Sequence, residues 1–192
     1  MPRPSTIVLW GLVTLSAGGT PVKIRDVDGR WLTPFQPAGK ANVVFFVSGE
    51  CPISNAYAPE IQRLCGQFAS QGVGCSLIYE DLPPDVAAAR RHLEEYGYRG
   101  RGISAAVDRT RTVARAAGAS ITPQAVIVDA TGAIKYRGRI DNRYAALGKP
   151  RPQATTHDLS DAIDATLAGT TVAVPETQPV GCAIVPADFL RK

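Results

Sequence analysis

This sequence has little that metal or cofactor chemistry could use. Histidine occurs twice, methionine once, and no C-x-x-C pair is present. His92 and His157 lie far apart, so a closed zinc site has no ligand set, and neither metal nor cofactor is expected. Four cysteines in 192 residues are too few for a disulfide scaffold, yet enough to raise the question of redox compartment. No clustered basic run exists: 21 Lys and Arg face 17 Asp and Glu for a net charge of +4, which gives nucleic acid no footprint. The apolar stretch Ile7 to Leu15 is shorter than the roughly 20 residues a bilayer span needs. With 45% apolar and 20% charged residues, the chain can bury a real core, which excludes disorder, collagen and long coiled coil.

The N-terminus has the order of an export signal. Arg3 is the only charge before Lys23, the apolar run follows, and small residues Ser16, Ala17, Gly18 and Gly19 close it. Residues 1–18 are therefore expected to be cleaved, leaving no stable membrane span and placing the protein in the periplasm or outside the cell. Cysteines can stay oxidised there. A disordered start ahead of an edge strand is the plainer reading.

Beyond the signal, strands and helices alternate. Val22 to Val27 and Trp31-Leu32 read as short strands, and Val43 to Val47 as a buried one. Tyr57, Ile61, Leu64 and Phe68 form the stripe of an amphipathic helix over Asn55 to Phe68, kinked by Pro59. Ser76 to Tyr79 is a strand, Asp85 to Tyr96 a helix, Ala105 to Asp108 a strand and Thr112 to Ala117 a short helix. Ala125 to Asp129 and Ala133 to Arg137 form a hairpin across Thr131-Gly132. Gly138 to Pro152 is a loop, Asp158 to Leu167 a helix with Thr155 as cap candidate, and an extended tail carries Cys182.

Cys51 stands where the buried strand turns into the helix. Unpaired N–H groups and the positive end of the helix dipole favour an anion there, so its thiol pKa should fall and the reactive thiolate gain. Pro52 suits a first helical turn, which needs no amide hydrogen. A buried inert cysteine is the competing reading.

Cys51-Pro52-Ile53-Ser54 followed by Ala58-Pro59 resembles the active-site turn and kinked helix of the thioredoxin superfamily, with Ser54 in place of the second cysteine. Gly118 to Pro123 and the hairpin after it resemble that family's cis-proline turn and terminal strands. The longer segment Leu82 to Ala119 resembles the redoxin branch, the AhpC/TSA-like and TlpA-like proteins. The resemblance implies an α/β thioredoxin-like fold over residues 19–170, a central mixed sheet flanked by helices with a redoxin-type insertion, and a C-terminal tail over 171–192. It also implies Pro123 as the cis-proline, Thr122 as the contact for a bound polypeptide, and Ser54 with the Thr122-Pro123 backbone orienting the sulfur.

The chain departs from the family patterns at chemically important positions. Ser54 cannot resolve a mixed disulfide. Phe45 stands where thioredoxins carry a buried acid, and Glu50 where they carry tryptophan; an adjacent carboxylate opposes the thiolate unless it points into water. Ser48 satisfies part of the peroxiredoxin P-x-x-x-T/S-x-x-C pattern, but Val44 replaces its proline.

Helical rise puts Cys65 roughly 20 Å from Cys51, beyond disulfide reach. Cys65 and Cys75 could bridge across the turn holding Gly72 and Gly74, or stay as two core thiols. Cys182 is then the one intramolecular candidate to resolve Cys51; a structural role or a partner contact are its other readings. His92 reads as part of a solvated helix face. His157 reads as a helix-start residue, with Thr155 and Asp158 as the capping pattern. Arg139 to Tyr144 reads as a solvated loop, with two guanidinium groups near the site's edge as the alternative.

Three functions fit. One is an exported thiol-disulfide oxidoreductase with Cys51 as nucleophile, acting on protein thiols or disulfides with an unidentified redox donor. The second is a thiol peroxidase acting on a hydroperoxide. The third is a non-enzymatic metal-handling or interaction module.

Overall fold

The structure is a computed structural model that describes residues 21–189; the expected export signal over residues 1–18 lies outside them. Chain order is β1 (Ile24–Arg25), β2 (Trp31–Leu32), β3 (Ala41–Val47), α1 (Pro52–Ala56), α2 (Ala58–Ala69), β4 (Val73–Tyr79) and α3 (Val86–Glu95). Next come β5 (Ile103–Val107), α4 (Thr112–Ala117), β6 (Ile121–Thr122), β7 (Gln124–Asp129) and β8 (Ile134–Gly138). The chain finishes with β9 (Tyr144–Ala146), β10 (Lys149–Pro150), α5 (Asp158–Leu167) and β11 (Cys182–Ala183).

Five strands form the central sheet in the order β5-β4-β3-β7-β8. β3 runs parallel to β4 and antiparallel to β7, so the sheet is mixed. Every residue of β3 is buried, as a central strand covered on both faces requires. Side chains alternate between the faces. Val43, Phe45 and Val47 join Ile61, Leu64, Phe68, Leu93 and Leu159 in one core, while Val44 and Phe46 join Val113, Ala114 and Ala117 in the other. Helices α2, α3 and α5 thus cover one face and α4 the other.

The helix read over Asn55 to Phe68 is two helices broken at Tyr57. Pro59 has no N–H to give the Asn55 carbonyl, and its ring crowds that oxygen. Tyr57 ends the first helix by donating to the Ile53 and Ser54 carbonyls, while its own carbonyl accepts from Ile61 N–H at 2.9 Å. The first strand is shorter than expected, reduced to Ile24–Arg25 paired with Trp31–Leu32.

Thr155 does not cap α5. His157 holds the N-cap position without a side-chain hydrogen bond, and the Thr155 hydroxyl instead accepts from Asn142 Nδ2 at 2.7 Å. Nor is Arg139 to Tyr144 a solvated loop, because Ile140, Asp141 and Asn142 are buried. Arg139 is turned away to pair with Asp158 at 2.9 Å.

Cys65 and Cys75 form a disulfide, with Cα atoms 6.0 Å apart, tying the end of α2 to β4. The tail after α5 runs along the outer edge of the sheet. Arg137 N–H donates to the Pro175 carbonyl at 2.9 Å and Thr177 N–H returns a bond to the Arg137 carbonyl at 3.1 Å, covering an edge that would otherwise be open. Among the described residues, no helix is long and apolar enough to cross a membrane.

Replacing both Cys65 and Cys75 by alanine should lower stability by about 2–4 kcal/mol, since the bridge closes a short loop in the unfolded chain. Urea unfolding of the variant against the oxidised parent measures this, and an unchanged midpoint would contradict the bridge's contribution.

Candidate functional site

Cys51 occupies the N-cap of α1 with extended backbone, φ −87° and ψ 112°, and Pro52 opens the helix. Two carboxamide and carboxylate side chains fix the turn before it. Asp81, just past the end of β4, accepts from the Ser48 hydroxyl at 2.5 Å and from the Gly49 and Glu50 amides at 3.2 and 3.4 Å. Asn55 donates to the Gly49 carbonyl at 2.9 Å.

Asn55 is itself held by His92, whose Nε2 lies 2.9 Å from Asn55 Oδ1, while its Nδ1 lies 2.9 Å from the Tyr79 hydroxyl. His92 is therefore not on a solvated face: it is buried, and its ring stacks on Tyr96 at 4.3 Å. Burial lowers its pKa against the pull of Asp81 and Glu95, so the neutral ring with Nε2–H donating and Nδ1 accepting fits both partners. The charged neighbours Arg90, Arg91, Glu94 and Glu95 suggested solvent in the sequence, but His92 shares the inward stripe of Ala89 and Leu93 and is buried with them.

Ser54 acts on the site differently from expectation. Its hydroxyl accepts from Ser48 N–H at 3.2 Å and so closes the turn, and only its backbone amide reaches the sulfur. Thr122–Pro123 is a cis peptide. The Thr122 carbonyl lies 3.3 Å from Cys51 Sγ, and Thr122 pairs with Cys182 across an antiparallel ladder. Cys51, Ser54, Thr122, Pro123 and Cys182 thus come from separate segments to one place. Cys65 and Cys75 stand apart in their own bridge, while Cys51 and Cys182 are free thiols.

The two free thiols line one cavity and differ in acidity. Burial pushes the Cys51 thiol up, but hydrogen bonds from the Cys182 thiol and from the amides of Ser54, Cys182 and Ile53 outweigh it, and its pKa falls below the ordinary value. The Thr122 carbonyl favours the protonated form and works against them. Cys182 moves the other way, to about 11, through burial and then through its bond to and charge repulsion by Cys51. The pair therefore loses its first proton from Cys51 and keeps the second on Cys182, which makes Cys51 the more readily ionised thiol. Glu50 is exposed at the cavity rim, where water weakens its effect on the buried sulfur.

Glu80 and Arg111 belong to the site and neither stood out in the sequence. A cavity of about 300 Å³ has Cys51, Cys182, Thr122, Glu80, Glu50 and Asp81 among its walls. Glu80 Oε2 lies 3.0 Å from Arg111 Nη1, yet among the described residues neither carboxyl oxygen receives a properly angled hydrogen bond. Burial, then the nearby Asp108, drives this carboxyl up to about 9 against the pull of Arg111. Arg111 is buried with a left-handed φ of 56° and donates to the carbonyls of Asp108, Glu80, Asp81 and Val185. A motif of single residues far apart in sequence leaves no pattern; only the Tyr79-Glu80-Asp81 strand end, leading out of an apolar strand, carried a signal. A neighbouring hollow of about 400 Å³, lined by His92, Asp81 and Glu50, holds no nucleophile.

The family model described as AhpC/TSA matches residues 17–137, more than half of the chain. The chain belongs to the AhpC/TSA family. As an AhpC/TSA protein it lies in the redoxin branch of the thioredoxin-like superfamily. It is similar to a hypothetical protein from Sinorhizobium meliloti, with TM-score 0.74 and 25% identity over 91% of this chain and 95% of that one. It is also similar to an uncharacterised conserved protein from Geobacillus kaustophilus, with TM-score 0.73 and 26% identity over 85% of this chain and 87% of that one. A secreted disulfide oxidoreductase of Mycobacterium tuberculosis shares the fold, with TM-score 0.53 and 18% identity over 78% of this chain and 96% of that one. No curated protein matches the chain.

Two outcomes follow from the charges. Cys182→Ala removes a donor to the sulfur, so the pH midpoint for alkylation of Cys51 should rise; an unchanged or lower midpoint contradicts the assignment. Glu80 binds its proton more tightly folded than unfolded, so its contribution is complete below the ordinary carboxylate range and is lost as pH climbs toward 9. Glu80→Gln should flatten the fall in stability over that window, read from urea midpoints across pH.

Proposed function

We propose that this protein is an exported thiol-disulfide oxidoreductase in which Cys51 is the nucleophile and Cys182 resolves it. The observation that carries this reading is the placement of Cys182 beside Cys51 by the ladder to Thr122, both thiols lining one cavity and Cys182 being the less acidic. The fold shared with a secreted disulfide oxidoreductase supports it.

The Cys51 thiolate attacks one sulfur of a disulfide, forming a mixed disulfide and expelling the other sulfur as a thiolate. Cys182 gives up its proton and attacks Cys51. The bond to the substrate sulfur breaks, a second thiolate leaves, and Cys51 and Cys182 are joined. One leaving thiolate takes the proton from Cys182 and the other takes one from water. Two electrons have passed from the protein to the substrate, and an external dithiol must restore them. The lowered pKa of Cys51 and the raised pKa of Cys182 suit these roles, since the attacking sulfur must be ionised first and the resolving one held back.

Export is part of the proposal. Its support is the order of Arg3, Ile7 to Leu15 and Ser16 to Gly19, together with a disulfide at Cys65–Cys75 of the kind that persists in oxidising compartments.

Non-reducing peptide mapping of the protein purified from its host, before and after treatment with a disulfide, tests each part. The expected result is a chain lacking residues 1–18, Cys65 joined to Cys75, and a new Cys51–Cys182 bond. Cys51→Ser should abolish turnover, and Cys182→Ser should stop at a mixed disulfide on Cys51. Full activity of Cys51→Ser overturns the assignment. Sulfenic acid at Cys51 with consumption of hydroperoxide, and no mixed disulfide, would turn the reading to a thiol peroxidase.

A further inference from the structure

In a thioredoxin-like fold the backbone beside the cis-proline is an open strand edge, and an extended polypeptide would bind there by adding a strand. Here that edge is taken. Cys182 pairs with Thr122 and Ala183 with Ile121, Ile184 N–H donates to the Ser120 carbonyl at 2.8 Å, and the Thr122 hydroxyl donates to the Cys182 carbonyl at 3.4 Å. One edge has one row of donors and acceptors and cannot serve two strands.

The tail lies against this edge without a gap. A Cβ at Gly181 would come within 2.0 Å of the Thr122 carbonyl oxygen, a backbone atom that cannot swing aside. The segment is fastened on both sides of the ladder. Upstream, the Thr177 hydroxyl accepts from Arg139 N–H at 3.0 Å and lies 2.6 Å from the Tyr136 hydroxyl. Downstream, buried Arg111 donates through Nε to the Val185 carbonyl at 2.9 Å.

With the tail in place Cys51 is only 1% exposed. The approach that remains is the cavity of about 300 Å³, the lower end of the range for small-molecule sites. Its ionisable walls other than the two cysteines are Glu50, Glu80 and Asp81; Glu80 keeps its proton into the alkaline range, so Glu50 and Asp81 supply the negative charge at this approach.

We propose that the docked strand Cys182–Ala183 sets substrate size and charge: it fills the polypeptide edge, so that Cys51 reacts with small uncharged or cationic disulfides through the cavity and excludes polypeptide disulfides. This rests on the reading of Cys51 as a nucleophile toward disulfides. The chemistry is the exchange already described, with the small disulfide as oxidant and its two sulfurs leaving as thiols.

The test uses the reduced full-length protein, with mass spectrometry reading both mixed disulfides at Cys51 and the Cys51–Cys182 bond that resolves them. The probes are cystamine, a small cationic disulfide, a small dicarboxylate disulfide, and insulin as a polypeptide disulfide. In the parent, cystamine should react fastest, its lead over the dicarboxylate shrinking as salt is added.

Gly181→Val, and separately Ile184→Pro, should lift the strand while keeping both cysteines, and raise the rate with insulin roughly tenfold or more. Both changes lie in the tail; Gly181 belongs to neither core, and Ile184 packs on the edge of the second core without being one of its buried residues. Cys182→Ser keeps the strand docked and should still exclude insulin. Equal insulin rates in the parent and both tail variants overturn the proposal, as does a Cys182→Ser protein that admits insulin as well as they do. A dicarboxylate faster than cystamine overturns the charge preference. If no probe marks Cys51 in any of these proteins, the nucleophile assignment itself falls.

Discussion

A two-residue ladder between Ile121–Thr122 and Cys182–Ala183 holds the site together. It brings the far end of the chain to the turn after the central strand, supplies Cys51 with a thiol donor and a backbone amide, and roofs the sulfur. Its length makes it weak by itself. What makes it dependable is the anchoring on either side, where Thr177 is bound into the edge of β8 and Val185 to the Arg111 guanidinium. A short ladder between firm anchors can open without unfolding the domain, because few hydrogen bonds separate the docked and lifted states.

The pair of thiols shows why position decides chemistry. Both cysteines feel burial, which alone would raise both pKa values. Their hydrogen bonds break the symmetry. Cys51 sits where amides of a starting helix converge, and Cys182 offers it a proton in addition; Cys182 receives no comparable help and meets a negative neighbour. One thiol is thereby made more acidic at the expense of the other, an arrangement that neither residue would reach alone.

Around the thiols the supporting shell is polar and buried. Tyr79, His92 and Asn55 form a chain of hydrogen bonds that ends on the Gly49 carbonyl, and Asp81 receives three donors from the same turn. Such chains are costly if any member lacks a partner, and so they fix the turn in one arrangement. The Glu80 carboxyl is the exception, packed beside Arg111 without a well-directed bond and holding a proton into the alkaline range.

Much of this was legible in the residues themselves. Thr112 to Ala117 and Asp158 to Leu167 were readable as helices to the residue, and the hairpin across Thr131-Gly132 to within one, because local periodicity and turn residues encode such elements directly. The site turn was legible too, since Cys51 and Pro52 announce a strand-to-helix junction whatever surrounds them. The roles of His92, Glu80 and Arg111 were not. His92 was masked by charged neighbours that face solvent while it faces inward, and Glu80 and Arg111 meet only because two strands end beside each other. Sequence alone determined which residue could be a nucleophile, where the central-sheet strands and most helices would form, though not the two short strands β9 and β10 inside the stretch read as a loop, and which cysteine pairs geometry forbids, for these depend on neighbours a few residues away. Tertiary structure alone decided that Cys182 meets Cys51, that Thr122 is bonded to the chain's own tail, and which thiol keeps the proton, for these depend on long-range packing that brings distant segments into hydrogen-bond distance.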